Sequence, residues 1–208
     1  MAGTLIRVAI VDDHPVVAEG TAAVLRAQPD IEVAGVAASL EAARTGRLTD
    51  PEAVDVLLLD IRLGTDSGLG LFGAGVERAT LPAVIVLTAY DYPQYADAAL
   101  RLGAAGFVLK TAPLAELLDA IRRVAAGGLA FSVRPGPALT RLTPREHDVV
   151  RLVADGRSNE EIGSDLGIGS KTVETHLARL FERIGVASRT ELATRALREG
   201  WLDVPPRS

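Results

Sequence analysis

Cysteine is absent from the 208 residues, which excludes disulfides, thiolate metal sites and cysteine nucleophiles and leaves the compartment open. Aromatic residues make up only 4% of the chain, but 48% is apolar and 24% charged, an ordinary globular balance that excludes wholesale disorder and fibrous structure. Long apolar runs are missing too. The longest, around Val54–Leu59 and Ala83–Leu87, are strand-sized, well short of the roughly 20 residues a membrane-spanning helix needs. Met1–Arg7 leads straight into an apolar strand without a signal-peptide layout. The expectation is a cytoplasmic protein with no membrane partner. Lysine is scarce: of 22 basic residues only Lys110 and Lys171 are not arginine.

What is present divides the chain in two. At this length two domains can each bury a core. Over residues 1–127, short β-rich runs at Leu5–Val11, Glu32–Val36, Val54–Leu59, Ala83–Leu87 and Gly106–Leu109 alternate with segments of helical spacing. Alternation at intervals of roughly 25 residues predicts an α/β fold, a doubly wound five-stranded parallel sheet. The third helical segment is crowded by Gly68, Gly70, Gly73 and Gly75, each costing about 1 kcal/mol in a helix interior, and should be short or irregular. Residues 128–141, with Pro135–Gly136–Pro137, read as linker. From residue 142 to 208 the pattern is all helix. Capping boxes are expected at Thr143/Glu146, Ser158/Glu161 and Ser188/Glu191, with Ser170 capping a further helix. A short helix, a glycine turn and a longer helix make a helix-turn-helix. Charge follows the division: residues 1–127 carry ten Lys and Arg against sixteen Asp and Glu, a balance of −6, and residues 128–208 carry twelve against eleven, a balance of +1.

The carboxyl ends of parallel strands converge in one crevice, where such folds bind ligands. Asp12 and Asp13 stand after the first run, Asp60 after the third, Thr88 at the end of the fourth and Lys110 after the fifth. Any one of these aspartates alone reads as a turn or helix cap; five matched groups at neighbouring strand ends do not. Three carboxylates so close raise one another's pKa unless a cation joins them. Oxygen ligands without His or Cys suit Mg2+. A carboxylate acceptor, a hydroxyl and an ammonium complete a set fit for phosphoryl transfer.

Val11–Asp12–Asp13–His14–Pro15, Leu59–Asp60–Ile61–Arg62–Leu63, Leu87–Thr88–Ala89 and Gly106–Phe107–Val108–Leu109–Lys110 resemble the motifs of CheY-like receiver domains, over essentially residues 5–127. The resemblance implies that Asp60 accepts a phosphoryl group from a sensor histidine kinase. It implies that Asp12, Asp13, Asp60 and the Arg62 backbone carbonyl hold Mg2+, and that Thr88 and Phe107 are the coupled switch pair. As a core aromatic, Phe107 needs no such role. The chain departs from the family in having Gly64 where proline is usual, Ser67 where aspartate is frequent, and Thr111 where a proline often follows the lysine. With the glycines that follow, the loop after Asp60 is expected to be looser than usual.

Residues 142–200 resemble the LuxR-type helix-turn-helix of NarL/FixJ response regulators, through Leu142–Thr143–Pro144–Arg145–Glu146, Gly156–Arg157–Ser158–Asn159–Glu160–Glu161–Ile162 and Ser170–Lys171–Thr172–Val173–Glu174–Thr175–His176. A helical wheel places Val173, Leu177, Leu180 and Ile184 on the core face. Opposite lie Lys171, Thr175, Ala178 and Glu182, flanked by Arg179, Thr172, His176 and Arg183, with the helix start expected to enter the major groove. The residues expected to meet DNA are Lys171, Thr172, Glu174, Thr175, His176, Arg179 and Arg183. His176 sits between core and surface and suits either role. Glu174 stands where relatives often have a basic residue; it either reads cytosine N4 or is simply solvated.

The expected protein is a non-enzymatic response regulator, phosphorylated at Asp60, binding promoter DNA and forming a homodimer when phosphorylated. Two rivals come from other classes. A phosphatase or phosphotransferase using Asp60 would need a substrate-binding cap, and no insertion is long enough for one. A receiver gated by a ligand or protein would not need the complete acceptor set.

Overall fold

The computed structural model describes residues 5–64, 66–73, 76–132 and 142–202. It divides into two compact units, Met1–Pro137 and Ala138–Ser208, taken in turn.

In the first unit β1 (Ile6–Val11), β2 (Ile31–Ala37), β3 (Val56–Leu59), β6 (Ala83–Thr88), β7 (Gly106–Leu109) and β8 (Ala130–Phe131) form one parallel sheet in the order β2-β1-β3-β6-β7-β8. Alternation within the strands explains the two covered faces. Val8, Ile10, Val56 and Leu58 pack on one side with Leu25 of α1 (Pro15–Arg26) and with Leu117 and Ile121 of α4 (Leu114–Ala125). Ala9, Val11, Leu57 and Leu59 pack on the other with Ala43 of α2 (Leu40–Thr45) and with Leu71. Each fully buried Leu or Ile contributes roughly 1.5–3 kcal/mol, so both faces are fixed by side-chain direction alone. On α1 the buried residues are Ala18, Ala22 and Leu25, whereas Val16 and Val17 face solvent. Helix α3 (Pro93–Leu102) buries Tyr95, Ala96, Ala98 and Ala99.

The sheet has six strands, not five. Its extra member, β8, pairs Ala130 with Gly106 and Phe131 with Phe107 and lies inside the segment read as linker. Two residues are too few to show a period. The rest of that linker, 133–141 with Pro135–Gly136–Pro137, lies outside the described residues, as does Gly75. Among its described residues the glycine-crowded third segment forms no α-helix: Gly68–Phe72 and Arg78–Thr80 are short 3-10 turns. A small antiparallel pair, β4 (Arg62–Leu63) and β5 (Asp66–Ser67), precedes them.

The second unit contains α5 (Pro144–Ala154), α6 (Asn159–Leu166), α7 (Ser170–Ile184) and α8 (Arg189–Arg198). Complete capping boxes start α5 at Thr143/Glu146 and α6 at Ser158/Glu161. At α8 the Ser188 side chain accepts from the Glu191 amide, but the Glu191 carboxylate turns to the Ala187 amide, one residue earlier. Ser170 is the first residue of α7 rather than its cap, a position held by Gly169. Val173, Leu177, Leu180 and Ile184 are all buried, with Val149, Val153, Ile162, Leu192 and Trp201 in the same core.

His147 on α5 is half-buried and its Nε2 has no hydrogen-bond partner. Burial holds its pKa below the ordinary 6.5. The unfolded chain therefore binds a proton that the folded unit resists, and stability falls as the pH drops below about 6.5 until the folded-state pKa is passed. Urea unfolding followed by the single tryptophan, Trp201, should show this fall, and His147→Gln should flatten it.

Candidate functional site

Four of the five predicted groups, Asp12, Asp13, Asp60 and Lys110, meet at the strand ends. Asp12 and Asp60 are each only 4% exposed and Thr88 is fully buried. Lys110 Nζ, after β7, sits 2.7 Å from Asp12 Oδ2 and 2.6 Å from Asp60 Oδ2. Burial raises the Asp60 pKa, with Lys110 opposing and the Asp12 charge adding to the rise. Burial works against the Lys110 charge too, but its hydrogen bonds to Asp12 and Asp60 outweigh that, and its pKa is raised. The ammonium thus holds two carboxylates at once.

The remaining oxygens show what the pocket lacks. Asp13 Oδ2 accepts from the Gly64 amide at 2.8 Å, and Asp60 Oδ2 is taken by Lys110. Asp13 Oδ1 and Asp60 Oδ1 are buried without a hydrogen bond; His14 Nδ1 lies 2.8 Å from the former, at ion-pair distance. An anionic oxygen left bare, as Asp60 Oδ1 is, costs stability unless a cation joins it. Ligand atoms of Asp12, Asp13, His14 and Asp60 all lie within 4.8 Å of one another. The residues therefore fit a divalent ion.

Two contacts tie described residues of the loop after Asp60. Gly64 adopts φ +65°, a conformation that favours glycine, and its amide reaches Asp13. Proline, the usual residue of the family there, has no amide hydrogen to give. The Gly68 amide donates to the Ile61 carbonyl at 2.6 Å, and a Cβ on Gly68 would stand 1.9 Å from the Asp60 carbonyl oxygen. Gly68→Ala must push this loop outward, at a cost of about 1–3 kcal/mol. Urea unfolding followed by tyrosine fluorescence should register the loss, since all three tyrosines are in this unit.

Phe107 is fully buried on β7, opposite Val86 and Phe131. The Thr88 hydroxyl accepts from the Tyr90 amide, and the Thr88 carbonyl accepts from the Lys110 amide. The Arg62 guanidinium lies 4.3 Å from the Tyr90 ring centre and donates to its hydroxyl at 3.0 Å. Tyr90 stacks on Tyr92, and Tyr95 packs against both. This aromatic rim was not legible as a cluster in the sequence, although the spacing of three tyrosines over six residues was its one signal. The Lys110–Thr111 bond is trans.

On the second unit Lys171, Thr172, Thr175, His176 and Arg179 line one shallow concavity at the start of α7. His176 is half-buried and the other four are exposed. The Thr175 hydroxyl donates to the Lys171 carbonyl. Glu174 is exposed but outside this concavity. Arg183 is drawn away from the set: it pairs at 2.8 Å with the Glu146 carboxylate, which also closes the α5 capping box.

Residues 8–122 match the family of response regulator receiver domains, and residues 140–196 match the luxR family of bacterial regulatory proteins. The chain is 36% identical over 205 residues to the transcriptional regulatory protein MctR of Rhizobium johnstonii, covering 94% of each. It is 34% identical over 208 residues to LiaR of Bacillus subtilis, another transcriptional regulatory protein, covering 93% of this chain and 98% of the relative. Among solved structures, RcsB from Salmonella enterica serovar Typhimurium bound to promoter DNA with the phosphomimetic BeF3- is similar at a TM-score of 0.62 and 26% identity, covering 91% of this chain and 96% of that one. Among the described residues no helix is long and apolar enough to cross a membrane.

Proposed function

This chain belongs to the response regulators that join a receiver domain to a LuxR-type DNA-binding domain, and on that premise we propose that Asp60 is its phosphoacceptor and α7 its DNA-reading helix. It is a phosphorylation-controlled transcription regulator, not an enzyme acting on other substrates. The observation that carries the receiver half is the bare buried oxygen Asp60 Oδ1, beside a lysine that already holds Asp12 and Asp60.

Asp12, Asp13, Asp60 and the Arg62 carbonyl would hold Mg2+, which would supply neutralising charge where phosphoryl oxygens gather. An Asp60 oxygen bonds to the phosphorus of a phosphohistidine or acyl-phosphate donor as the bond to the donor's leaving group breaks. Lys110 then serves a phosphoryl oxygen in place of a carboxylate, and the Thr88 hydroxyl donates to another. Thr88 and Phe107 change position together as the switch. Dephosphorylation at Asp60 is the only other covalent step. The partners are a sensor histidine kinase, promoter DNA and, when phosphorylated, a second copy of the chain, all met in the cytoplasm. In the DNA half, Lys171, Thr172 and Arg179 serve phosphates, Arg183 being held by Glu146; Glu174, Thr175 and His176 face the bases. The domains are residues 1–127 and 142–208, and β8 closes the receiver sheet from the segment between them.

Arg62 and Tyr90 stand two residues beyond Asp60 and Thr88, and their contact closes one approach to Asp60. A hydrogen bond and a cation–π contact, together about 1–2 kcal/mol, hold it shut, so Arg62→Ala with Tyr90→Ala should speed phosphate loss about tenfold. Unchanged decay of the adduct in the double variant would count against the closure.

Genomic footprinting with and without an acyl-phosphate donor tests the whole reading. Occupancy of promoter sites should change with the donor in the wild type and not in Asp60→Asn.

A further inference from the structure

His14 is the N-cap of α1, a position where Ser, Thr, Asp or Asn ordinarily satisfies a free amide. Its side chain makes no cap bond. Nδ1 instead lies 2.8 Å from Asp13 Oδ1 and 3.5 Å from Asp12 Oδ1. Adjacent ligands of an octahedral ion with bonds of about 2.0–2.1 Å stand about 3 Å apart, and opposite ones about 4.2 Å. The two nitrogen–oxygen distances bracket the first value, and the 4.8 Å spread of the whole set accommodates the second. Independently of His14, Asp60 is 4% exposed and keeps Oδ1 without a partner in the same pocket.

We propose that His14 Nδ1 is a further protein ligand at this site, turning an all-oxygen centre into a mixed oxygen–nitrogen one that prefers a divalent first-row transition ion to Mg2+. The proposal rests on the reading that the acidic pocket holds a divalent cation. Carboxylates alone suit hard ions, whereas imidazole raises affinity for transition ions far more than for Mg2+. The His14 side chain is 65% exposed, so it reaches the ion from the solvent side, where water would otherwise sit.

Mn2+ is the probe, because its electron spin echo is modulated by a directly bonded nitrogen. The full-length wild type should bind Mn2+ with nitrogen modulation. His14→Ala and His14→Gln should both lose that modulation and bind Mn2+ about tenfold more weakly, while Mg2+ affinity, measured by competition, changes less than about twofold. Bound Mn2+ without nitrogen modulation, or equal affinity in the His14 variants, overturns the ligand assignment and leaves the carboxylate site standing. Asp13→Asn should weaken Mn2+ and Mg2+ alike; if it weakens neither, the cation site falls as well. Circular dichroism of each variant confirms that α1 is intact.

Discussion

Asp60→Asn should take up no phosphoryl group from acetyl phosphate and Mg2+, whereas the wild-type chain should gain a single adduct, read by intact mass. An amide is no nucleophile towards phosphorus, and no other carboxylate has the same surroundings. Asp12 is held by Lys110 and accepts from the His14 amide, and Asp13 is tied to Gly64. The substitution should leave the fold whole. Burial lifts the Asp60 pKa above its ordinary value, with the neighbouring Asp12 charge adding to it, so the ionised carboxylate weakens the folded state near neutral pH. A neutral side chain of the same shape removes that cost, and Asp60→Asn should unfold at a urea concentration no lower than the wild type. A persisting adduct would sink the assignment. Loss of the adduct together with a collapse in stability would point to a structural aspartate instead.

The sheet and the pocket were legible because their determinants are local. Strand runs such as Val56–Leu59 are buried on both faces and read as continuous apolar segments, and the ends of such strands meet whatever the helices do. The core stripe of α7 was legible for the same reason, through its 3.6-residue period. What was not legible depends on backbone groups or on length. Proline and glycine at position 64 differ in a single donor, and that donor's partner, Asp13, is 51 residues away in sequence. In the loop expected to be loose, the described residues are tied by that hydrogen bond and by the close seating of Gly68 on Asp60. On α1, the helix meets the sheet through Ala18, Ala22 and Leu25, spaced four and three residues apart, and Val16 and Val17 fall off that stripe. Strand β8 escaped because backbone pairing to β7, not side-chain period, defines it. Arg183 met the wheel's criterion for the DNA face, but the wheel contains only one helix and cannot show Glu146 on another.

The fragment 138–208 should bind operator DNA about tenfold more tightly than the unphosphorylated full-length chain. The receiver segment carries −6 and the remainder +1, so an acidic receiver tethered to the DNA-binding half repels DNA over a Debye length of about 8 Å. A chain restrained in this way about nine-tenths of the time loses about tenfold in apparent affinity, and phosphorylation need shift the balance by only a few kcal/mol to restore it. The fragment has what it needs to fold alone, since Val149, Ile162, Leu177, Leu192 and Trp201 close one core within it. Its affinity should fall with salt, and Lys171→Ala should weaken every sequence alike while lowering the salt slope by about one. Changes at Glu174 or Thr175 should instead alter which sequence is preferred, by about 1–3 kcal/mol per base pair. The competing mechanism is that a monomeric helix-turn-helix binds too weakly and the receiver helps by dimerising. Fragment, unphosphorylated chain and phosphorylated chain, titrated against one operator at one salt concentration, separate the two. If the fragment is the weakest of the three, charge restraint is refuted and the phosphorylated receiver acts by bringing two α7 helices to adjacent half-sites.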